Sequence, residues 1–240
     1  MTRHPYLLAV DQGTTSTRAI LFDLDGTLAD TAADIASATN LALAEAGRPP
    51  FTVEQVRALV SSGARKLITS GCDDSVGEKD IDHLMARLFE HYAERPAMHT
   101  RVFPGLDALI GEFSAHGLIW GVVSNKPVAL ARPIVDTLAL TPPPVCVLGG
   151  DSVATKKPHP LSLLHACKSA GIVAQETLYV GDAEIDVRAA QAAGIPSVIA
   201  GFGYAPNETT VRTWQPDYYV DSVASLRTLM LSLQANTTAT

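Results

Sequence analysis

From Gly105 onwards, short apolar runs alternate with helical patterns, and few folds accommodate that order. Strands that alternate with helices are typical of a parallel sheet covered by helices on both faces. Together with one earlier apolar run, the strands predicted for the sheet lie at residues 18–22, 119–124, 145–148, 177–180, 197–200 and 218–220, and residues 6–10 of the N-terminal extension form a further predicted strand. We therefore expect an α/β protein whose core is a Rossmann-like, three-layer parallel sheet.

The chain between the first predicted strand and this alternating part contains only helical patterns. Thr52–Gln55 has the arrangement of a capping box, and Ile81, Leu84 and Leu88 share one helical face. An insertion after the first strand would hang over the edge of the sheet where ligands bind. The expected division is a core domain of residues 1–34 and 101–240, with residues 1–18 as an N-terminal extension, and an all-helical cap domain of residues 35–100.

Size, charge and cysteine content narrow the class of protein. The 240 residues, 47% of them hydrophobic, suffice for one large domain or for a core with an insert. A formal charge of −7 argues against a nucleic-acid partner, and neither a membrane span nor a signal peptide is apparent. Cys72, Cys146 and Cys167 are widely spaced and suggest no disulfide or zinc site. We expect a cytoplasmic protein without nucleic-acid or membrane partners, either a monomer or a homodimer.

Two carboxylates follow the first predicted strand. Asp23 and Asp25 are two residues apart on an extended segment, so their side chains point the same way, and Gly26 permits a sharp turn. At the carboxyl end of a parallel strand they would face a ligand. Such a pair repels itself unless a cation or a proton intervenes. The same pattern also occurs in ordinary turns, whereas a calcium loop is excluded because no suitable ligands follow Gly26.

Polar side chains also follow three later elements, where a phosphate group could bind. They are Ser124 and Asn125 after one strand, Lys156 and Lys157 before a proline-fixed helix start, and Asp182 and Asp186 after another strand. A helix N-terminus next to the first pair favours an anion. The last pair would lie on the same side of a helical turn. Taken singly, the pair Ser124 and Asn125 could also be a helix cap, and the two lysines could also be solvated loop residues.

The order of these motifs resembles the four-motif series of the haloacid dehalogenase superfamily. The series is Asp-x-Asp-Gly-Thr-Leu, a strand ending in Ser, Lys-Pro-x-Pro and Gly-Asp-x-x-x-Asp, and the resemblance extends from Ile20 to the C-terminus. Within the superfamily the chain looks like the bacterial phosphoglycolate phosphatases with a helical cap. It is similar in the same places to the N-acetylmuramic acid 6-phosphate phosphatases. An aspartate at position 25 favours a phosphatase over a dehalogenase, because a phosphoryl leaving group needs an acid.

The resemblance implies a Mg2+-dependent phosphatase with an aspartyl-phosphate intermediate. Asp23 would be the nucleophile and Asp25 the general acid and base. The superfamily's Mg2+ would be held by Asp23, Asp182 and the backbone carbonyl of Asp25. The resemblance also implies that phosphate or substrate is bound by Ser124, Asn125, Gly26 and Lys157, and Lys157 counts as catalytic as well. Arg65 would pair with a substrate carboxylate. Asp186 would orient Lys157 or a metal-bound water. The motif's register favours Lys157 over Lys156 as the phosphate-binding lysine.

The substrate implied by this resemblance is a small anionic phosphomonoester, 2-phosphoglycolate first, with glycolate and phosphate as products. N-Acetylmuramic acid 6-phosphate or another small sugar phosphate is the alternative, and isomerisation of the β-phosphoglucomutase kind is a further one. Residues 7–22 also resemble the first phosphate-binding hairpin of carbohydrate kinases related to glycerol kinase. This leaves open a nucleotide-binding or regulatory protein, although we expect the hairpin to be an extension that pairs at the sheet edge.

Overall fold

A computed structural model of the protein describes residues 17–73 and 76–235. Its strands are β1 (Ala19–Phe22), β2 (Ala29–Asp30), β3 (Arg101–Val102), β4 (Ile119–Val123), β5 (Val147–Leu148), β6 (Thr177–Gly181), β7 (Ser197–Ala200) and β8 (Tyr218–Val220). Its α-helices are α1 (Ala32–Glu45), α2 (Val53–Leu59), α3 (Ala64–Gly71), α4 (Glu78–Glu94), α5 (Leu106–Glu112), α6 (Val128–Leu138), α7 (Leu161–Ala170), α8 (Glu184–Ala193), α9 (Glu208–Thr213) and α10 (Val223–Ala235).

Six of the strands form one parallel sheet in the order β5-β4-β1-β6-β7-β8. β1 lies inside the sheet, where Leu21 is in register with Gly121 of β4 and Tyr179 of β6. The carboxyl ends of β1, β4 and β6 are therefore side by side. The order of the strands reverses at β1, because β4 and β5 follow on one side of it and β6, β7 and β8 follow on the other. Ligands of open parallel sheets bind at such a switch point. The predicted α/β, Rossmann-like core is confirmed.

Both faces of the sheet are covered, which explains why its strands are apolar almost throughout. On one face Phe22 stacks on Phe113 at 6.5 Å between ring centroids and meets the edge of Trp120 at 6.3 Å. On the other face Leu21 packs with Tyr179 in a separate buried cluster. This packing holds the end of β1, and the two aspartates that follow it, on a rigid base.

Helices α1 to α4 occupy residues 32–94, which we call the helical segment. Its α2 begins with the expected capping box, because Thr52 Oγ1 accepts from the Gln55 N–H and Gln55 Oε1 accepts from the Thr52 N–H. The segment has a buried cluster of its own, made of Ala42, Leu43, Ile68, Ile81, Leu84 and Leu88. A two-stranded antiparallel pair, β2 with β3, joins the points where the chain enters and leaves it.

The expected N-terminal hairpin falls largely outside the described residues, which begin at residue 17. β1 has a parallel neighbour on each side, so no further strand can pair with Ala19–Phe22. Among the described residues, no helix has the length and the apolar character needed to cross a membrane.

Candidate active site

Asp23 lies directly after β1, and its backbone N–H donates to Val180 of β6. Its carboxylate oxygen Oδ1 is 3.0 Å from the Lys157 ammonium but is not aligned for a hydrogen bond, and no other described residue donates to it. Burial raises the pKa of Asp23 to about 6, against the lowering effect of Lys157 and with further raising by Asp186 and Asp25. Oδ1 of Asp23 is therefore a buried carboxylate oxygen with a cation nearby and no hydrogen-bond donor.

Asp182 follows β6 and faces Asp23. Its Oδ1 accepts from Thr27 Oγ1 at 2.9 Å, and its Oδ2 accepts from Ser61 Oγ of the helical segment at 3.0 Å. Burial, and then the charges of Asp186 and Asp23, raise the pKa of Asp182 well above its ordinary value. Asp23, Asp182 and Asp186 each have a carboxylate oxygen within 4.8 Å of the others'. A concentration of buried negative charge of this kind favours a bound cation.

Asp186 is engaged by protein groups at both oxygens. Oδ1 accepts from Lys157 Nζ at 2.7 Å and from Tyr179 Oη, while Oδ2 accepts from the backbone N–H groups of Asp182 and Ala183. The second pair of bonds fixes the start of α8, where four N–H groups would otherwise lack partners. Asp186 thus positions Lys157 and the loop that carries Asp182.

Lys157 is almost fully buried, with 1% of its side chain exposed. Burial by itself lowers the pKa of a lysine, but Asp186 and Asp23 outweigh it and hold the pKa of Lys157 above its ordinary value. Nζ also donates to Tyr179 Oη at 2.7 Å. Lys156, the other candidate, is exposed. Lys157 therefore places a fixed positive charge next to Oδ1 of Asp23, the oxygen that lacks a hydrogen-bond donor.

The turn after Asp25 depends on Gly26. Its φ is +83°, a left-handed conformation that favours glycine, and an added Cβ would lie 2.4 Å from the Tyr204 ring and 2.9 Å from a carboxylate oxygen of Asp182. Any larger residue would push Asp182 or Tyr204 away. Gly26 therefore contributes space and backbone direction to the site.

Asp25 lies beside the helical segment. Its Oδ1 accepts from Thr31 Oγ1 at 2.6 Å and from Lys126 Nζ at 2.8 Å, and its Oδ2 is 3.0 Å from the same ammonium. Lys126 in turn lies over the ring of Tyr92 from α4, 4.4 Å from the ring centroid. The carboxylate is thus held between the core and the helical segment.

Ser124 and Asn125 follow β4, as expected, but their side chains serve different purposes. Ser124 is buried at the strand end, and its Oγ accepts from the Lys126 N–H at 3.3 Å. Asn125 uses both side-chain atoms on the backbone of Lys157, donating to its carbonyl and accepting from its N–H. Asn125 therefore holds the Lys157 loop in place instead of presenting its amide to a ligand.

A cavity of about 700 Å3 lies between the helical segment and the sheet. Asp23, Asp25, Ser124 and Lys157 lie at its inner end, and Leu67, Met85, Leu88 and Phe89 of the helical segment contribute an apolar wall. Arg65 reaches the lining, but its guanidinium pairs with Glu78 at 2.7 Å and with Asp82, and about half of its side chain is exposed. The structure therefore places Arg65 at the solvent-exposed rim, where two acidic side chains of the helical segment already neutralise its charge.

Several site residues were not singled out in the sequence as functional. They are Thr27, Thr31, Ser61, Tyr92, Lys126, Tyr179 and Tyr204. Ser61 and Tyr92 come from the helical segment, so strand ends could not reveal them. Lys126 offered a signal, because a lysine directly after a strand end is well placed to meet a carboxylate on the neighbouring strand.

Comparisons with known proteins agree on one family. A family model described as haloacid dehalogenase-like hydrolase matches residues 20–200. A phosphoglycolate phosphatase of Xylella fastidiosa is 37% identical over 204 residues, which cover 85% of this chain and 89% of that protein. An N-acetylmuramic acid 6-phosphate phosphatase of Pseudomonas aeruginosa is 35% identical over 204 residues, 85% and 90% of the two chains.

Solved structures give the same result. The crystal structure of a predicted phosphoglycolate phosphatase from Haemophilus somnus has a TM-score of 0.80 and 27% identity, and it covers 90% of this chain and 99% of that one. The chain therefore belongs to the haloacid dehalogenase-like hydrolase family. Among the activities of this family, it is a phosphatase, that is, a hydrolase of phosphoric monoesters.

Proposed function

We propose that the protein is a Mg2+-dependent phosphatase that hydrolyses 2-phosphoglycolate through a phosphoryl group carried on Asp23. The observation that carries the proposal is the buried Oδ1 of Asp23, which lacks a hydrogen-bond donor and lies 3.0 Å from Lys157 in the lining of the cavity. A carboxylate that is free at one oxygen, next to a fixed cation, can attack the phosphorus of a bound ester. The similarity to a phosphoglycolate phosphatase supports the choice of substrate.

The residues around Asp23 fit a Mg2+ ion. Carboxylate oxygens are the ligands that this ion prefers, and Asp23 and Asp182 present them within 4.8 Å of one another. Asp23, Asp182 and the backbone carbonyl of Asp25 would hold the ion, while Asp186 stays with Lys157. The bound ion would neutralise the repelling carboxylates and the charge on the transferring phosphoryl group.

The proposed reaction has two steps. Asp23 attacks phosphorus, the ester bond breaks, and Asp25 gives a proton to the leaving oxygen. Water then attacks the phosphoryl group on Asp23, and Asp25, now a carboxylate, accepts the proton of the water. This step frees phosphate and restores the carboxylate of Asp23 and the protonated form of Asp25. Ser124 and Lys157 bind phosphate oxygens during both steps.

A second substrate, N-acetylmuramic acid 6-phosphate, is favoured by the cavity itself. Its volume of about 700 Å3 and its apolar wall suit a body larger than the two carbons of glycolate. Cavities of roughly 300–1,000 Å3 hold ligands of drug size. The similarity to a phosphatase named for that sugar phosphate points the same way.

Three further features of the enzyme are its cap, its location in the cell and its partners. We propose that the helical segment acts as a cap that shields the reaction from water, with the core and cap divided near residues 35 and 100. A cytoplasmic location is supported by the free thiols of Cys72, Cys146 and Cys167. The proposed partner is a small phosphomonoester, and the charge of −7 disfavours nucleic acid and an anionic membrane surface as partners.

Asp23→Asn tests the mechanism. We expect release of phosphate from 2-phosphoglycolate in the presence of Mg2+ to fall at least about a thousandfold, because an amide cannot attack phosphorus. Asp136→Asn, at an exposed aspartate on α6, is the matched control and should keep its activity. Circular dichroism would check that both variants fold. Undiminished phosphate release by folded Asp23→Asn would refute the nucleophile.

Kinetics on both esters would decide the substrate. Phosphate release from 2-phosphoglycolate and from N-acetylmuramic acid 6-phosphate would be compared at equal enzyme and Mg2+ concentrations. A higher kcat/KM for 2-phosphoglycolate is the expected result, and the reverse order would assign the enzyme to the sugar phosphate. Phosphate that stays on the sugar would indicate an isomerase instead.

A further inference from the structure

Lys126 occupies an unusual position for a lysine. Only 7% of its side chain is exposed, and its ammonium contacts both carboxylate oxygens of Asp25, at 2.8 and 3.0 Å. On the other side it meets Tyr92 of α4, with Nζ 3.4 Å from the hydroxyl oxygen and 4.4 Å from the ring centroid. A buried ammonium is costly to desolvate, so its retention in a cavity wall calls for a function.

The other cations that line the cavity are less suited to meet an anionic group on the leaving part of the substrate. Among the described residues of this lining they are Arg65, Lys156 and Lys157. Arg65 already pairs with Glu78 and Asp82 at the rim, and Lys156 is exposed. Lys157 adjoins Asp23, where the proposed phosphoryl transfer takes place. Lys126 remains as the buried cation on the leaving-group side.

Chemical connectivity places the substrate carboxylate near Lys126. If Asp25 protonates the ester oxygen, that oxygen lies within hydrogen-bond reach of Asp25. In 2-phosphoglycolate the carboxylate carbon is only two bonds away from the same oxygen. Because the Lys126 ammonium is in direct contact with Asp25, it lies within a few bond lengths of this carboxylate.

We propose that Lys126 recognises the substrate carboxylate and that the enzyme thereby selects phosphate esters with a carboxylate on the carbon that bears the ester oxygen. This inference rests on the proposed function of the same site. Tyr92 supports the ammonium from the helical segment, since an aromatic ring attracts a cation over its face. The three N–H donors of the ammonium face the two Asp25 oxygens and the Tyr92 hydroxyl, so a substrate carboxylate would take the place of the longest of these contacts, the one to Tyr92 at 3.4 Å.

The experiment compares two esters that differ only in this group. They are 2-phosphoglycolate and 2-hydroxyethyl phosphate, in which a neutral CH2OH replaces the carboxylate. The quantity measured is the ratio of kcat/KM for the first ester to that for the second, in the wild type and in Lys126→Gln. We expect this ratio to fall by roughly tenfold to a hundredfold in the variant, as for a lost hydrogen bond to a charged group. Lys126→Arg should recover part of the ratio.

Two further variants act as matched controls because each removes another cation from the same cavity lining. Lys156→Gln and Arg65→Gln should leave the ratio within about twofold of the wild type. Tyr92→Leu removes the ring beneath the ammonium and should lower the ratio less than Lys126→Gln does. It tests the same inference if Lys126→Gln does not fold.

Several results would overturn the inference. An equal loss on both esters in Lys126→Gln would mean that Lys126 only holds Asp25. A ratio that falls instead in Arg65→Gln or Lys156→Gln would assign the carboxylate to that residue. A wild-type ratio near one would show that no carboxylate is recognised while the phosphatase activity stands. If the wild type hydrolysed neither these esters nor N-acetylmuramic acid 6-phosphate, the proposed function would fail as well.

Discussion

Asp23, Asp182 and Asp186 bring three carboxylates together in a buried space, and within residues 17–73 and 76–235 Lys157 is the one cation that forms an ion pair with any of them. Hydrogen bonds fix the positions of two of these carboxylates. Thr27 and Ser61 donate to Asp182, and Tyr179 donates to Asp186. Like charges so close together destabilise the folded protein unless a cation or a proton neutralises them. The close approach of these carboxylates therefore lowers the stability of the folded protein, as is common at functional sites.

The first prediction concerns the pH dependence of stability without metal. The pKa of Asp23 is raised by burial from an ordinary value near 3.8 to about 6, so the folded state binds a proton more tightly than the unfolded state does. Stability should thus fall as pH rises from about 4 through about 6, by up to ~3 kcal/mol from this group. Urea unfolding in the presence of a chelator would measure it.

Asp23→Asn isolates that contribution, because an amide does not titrate. The variant should be more stable than the wild type at pH 7, and the difference should vanish near pH 4. Parallel pH profiles for the two proteins would contradict the raised pKa. Asp136→Asn, exposed on α6, should follow the wild type throughout.

Sequence patterns could identify those site residues that lie at strand ends. Asp23, Ser124 and Asp182 were predictable because the carboxyl ends of parallel strands meet at one edge of the sheet. Ser61 and Tyr92 could not be found in this way, since their approach depends on how the helical segment packs on the core. The position of Asn125 on the Lys157 backbone likewise depends on how two loops meet.

Among the elements, α1 has an unusual N-terminus. Thr31, its N-cap, makes no side-chain cap and donates its hydroxyl to Asp25 instead. The hydroxyl of Tyr204, from the loop after β7, accepts from the N–H groups of Thr31 and Ala32, each at 2.8 Å, and donates to Asp30. The helical segment adds Arg57, which pairs with Asp30 at 2.9 Å. A distant tyrosine thus caps the helix that begins the helical segment.

The second prediction contrasts the two partners of Asp30. Tyr204→Phe should destabilise the protein by about 1–3 kcal/mol, because it removes the shared acceptor of two partly buried N–H groups, of which only that of Ala32 keeps a longer contact, 3.4 Å to Asp30 Oδ1. Arg57→Ala should cost less than about 1 kcal/mol, since both members of its ion pair are more than a third exposed. Urea unfolding of both variants would measure the difference, and an equal or reversed order would contradict the capping role of Tyr204.

Not every element could be predicted from sequence. β2 and β3 contain two residues each, too few to show any periodicity, and α9 is a helix of only six residues. α9 nevertheless had a signal, because Asn207 caps it by accepting from the Thr210 N–H. α10 carries apolar residues at helical spacing, of which Leu226 and Met230 are buried. The helical period of these residues makes α10 predictable from the sequence.

At the scale of the whole molecule, the parallel sheet and the helical segment enclose one cavity, and both contribute to the carboxylate cluster. Ser61 of the helical segment donates to Asp182, and Tyr92 of the same segment contacts the cation that holds Asp25. The position of the helical segment and the geometry of the site are therefore linked through a few hydrogen bonds. Binding of a cation at the cluster should stabilise the folded protein as a whole.

The third prediction follows from this linkage. Adding Mg2+ should raise the Tm of the wild type, by an amount that grows with the logarithm of the Mg2+ concentration above Kd. Asp182→Asn should show a smaller rise, because it loses a charged ligand, and yet it should have the higher Tm when no metal is present. Thermal unfolding with and without Mg2+ would measure both effects. An identical response of the two proteins would exclude Asp182 as a ligand.

If the phosphoryl group passes through Asp23, a rapid acid quench during turnover should trap it there. The protein would be mixed with 2-phosphoglycolate and Mg2+, quenched within milliseconds and digested for mass spectrometry. We expect one phosphoryl group on the peptide that contains Asp23, and none on the same peptide of Asp23→Asn. Steady hydrolysis with the phosphoryl group on another residue of the wild type would contradict it.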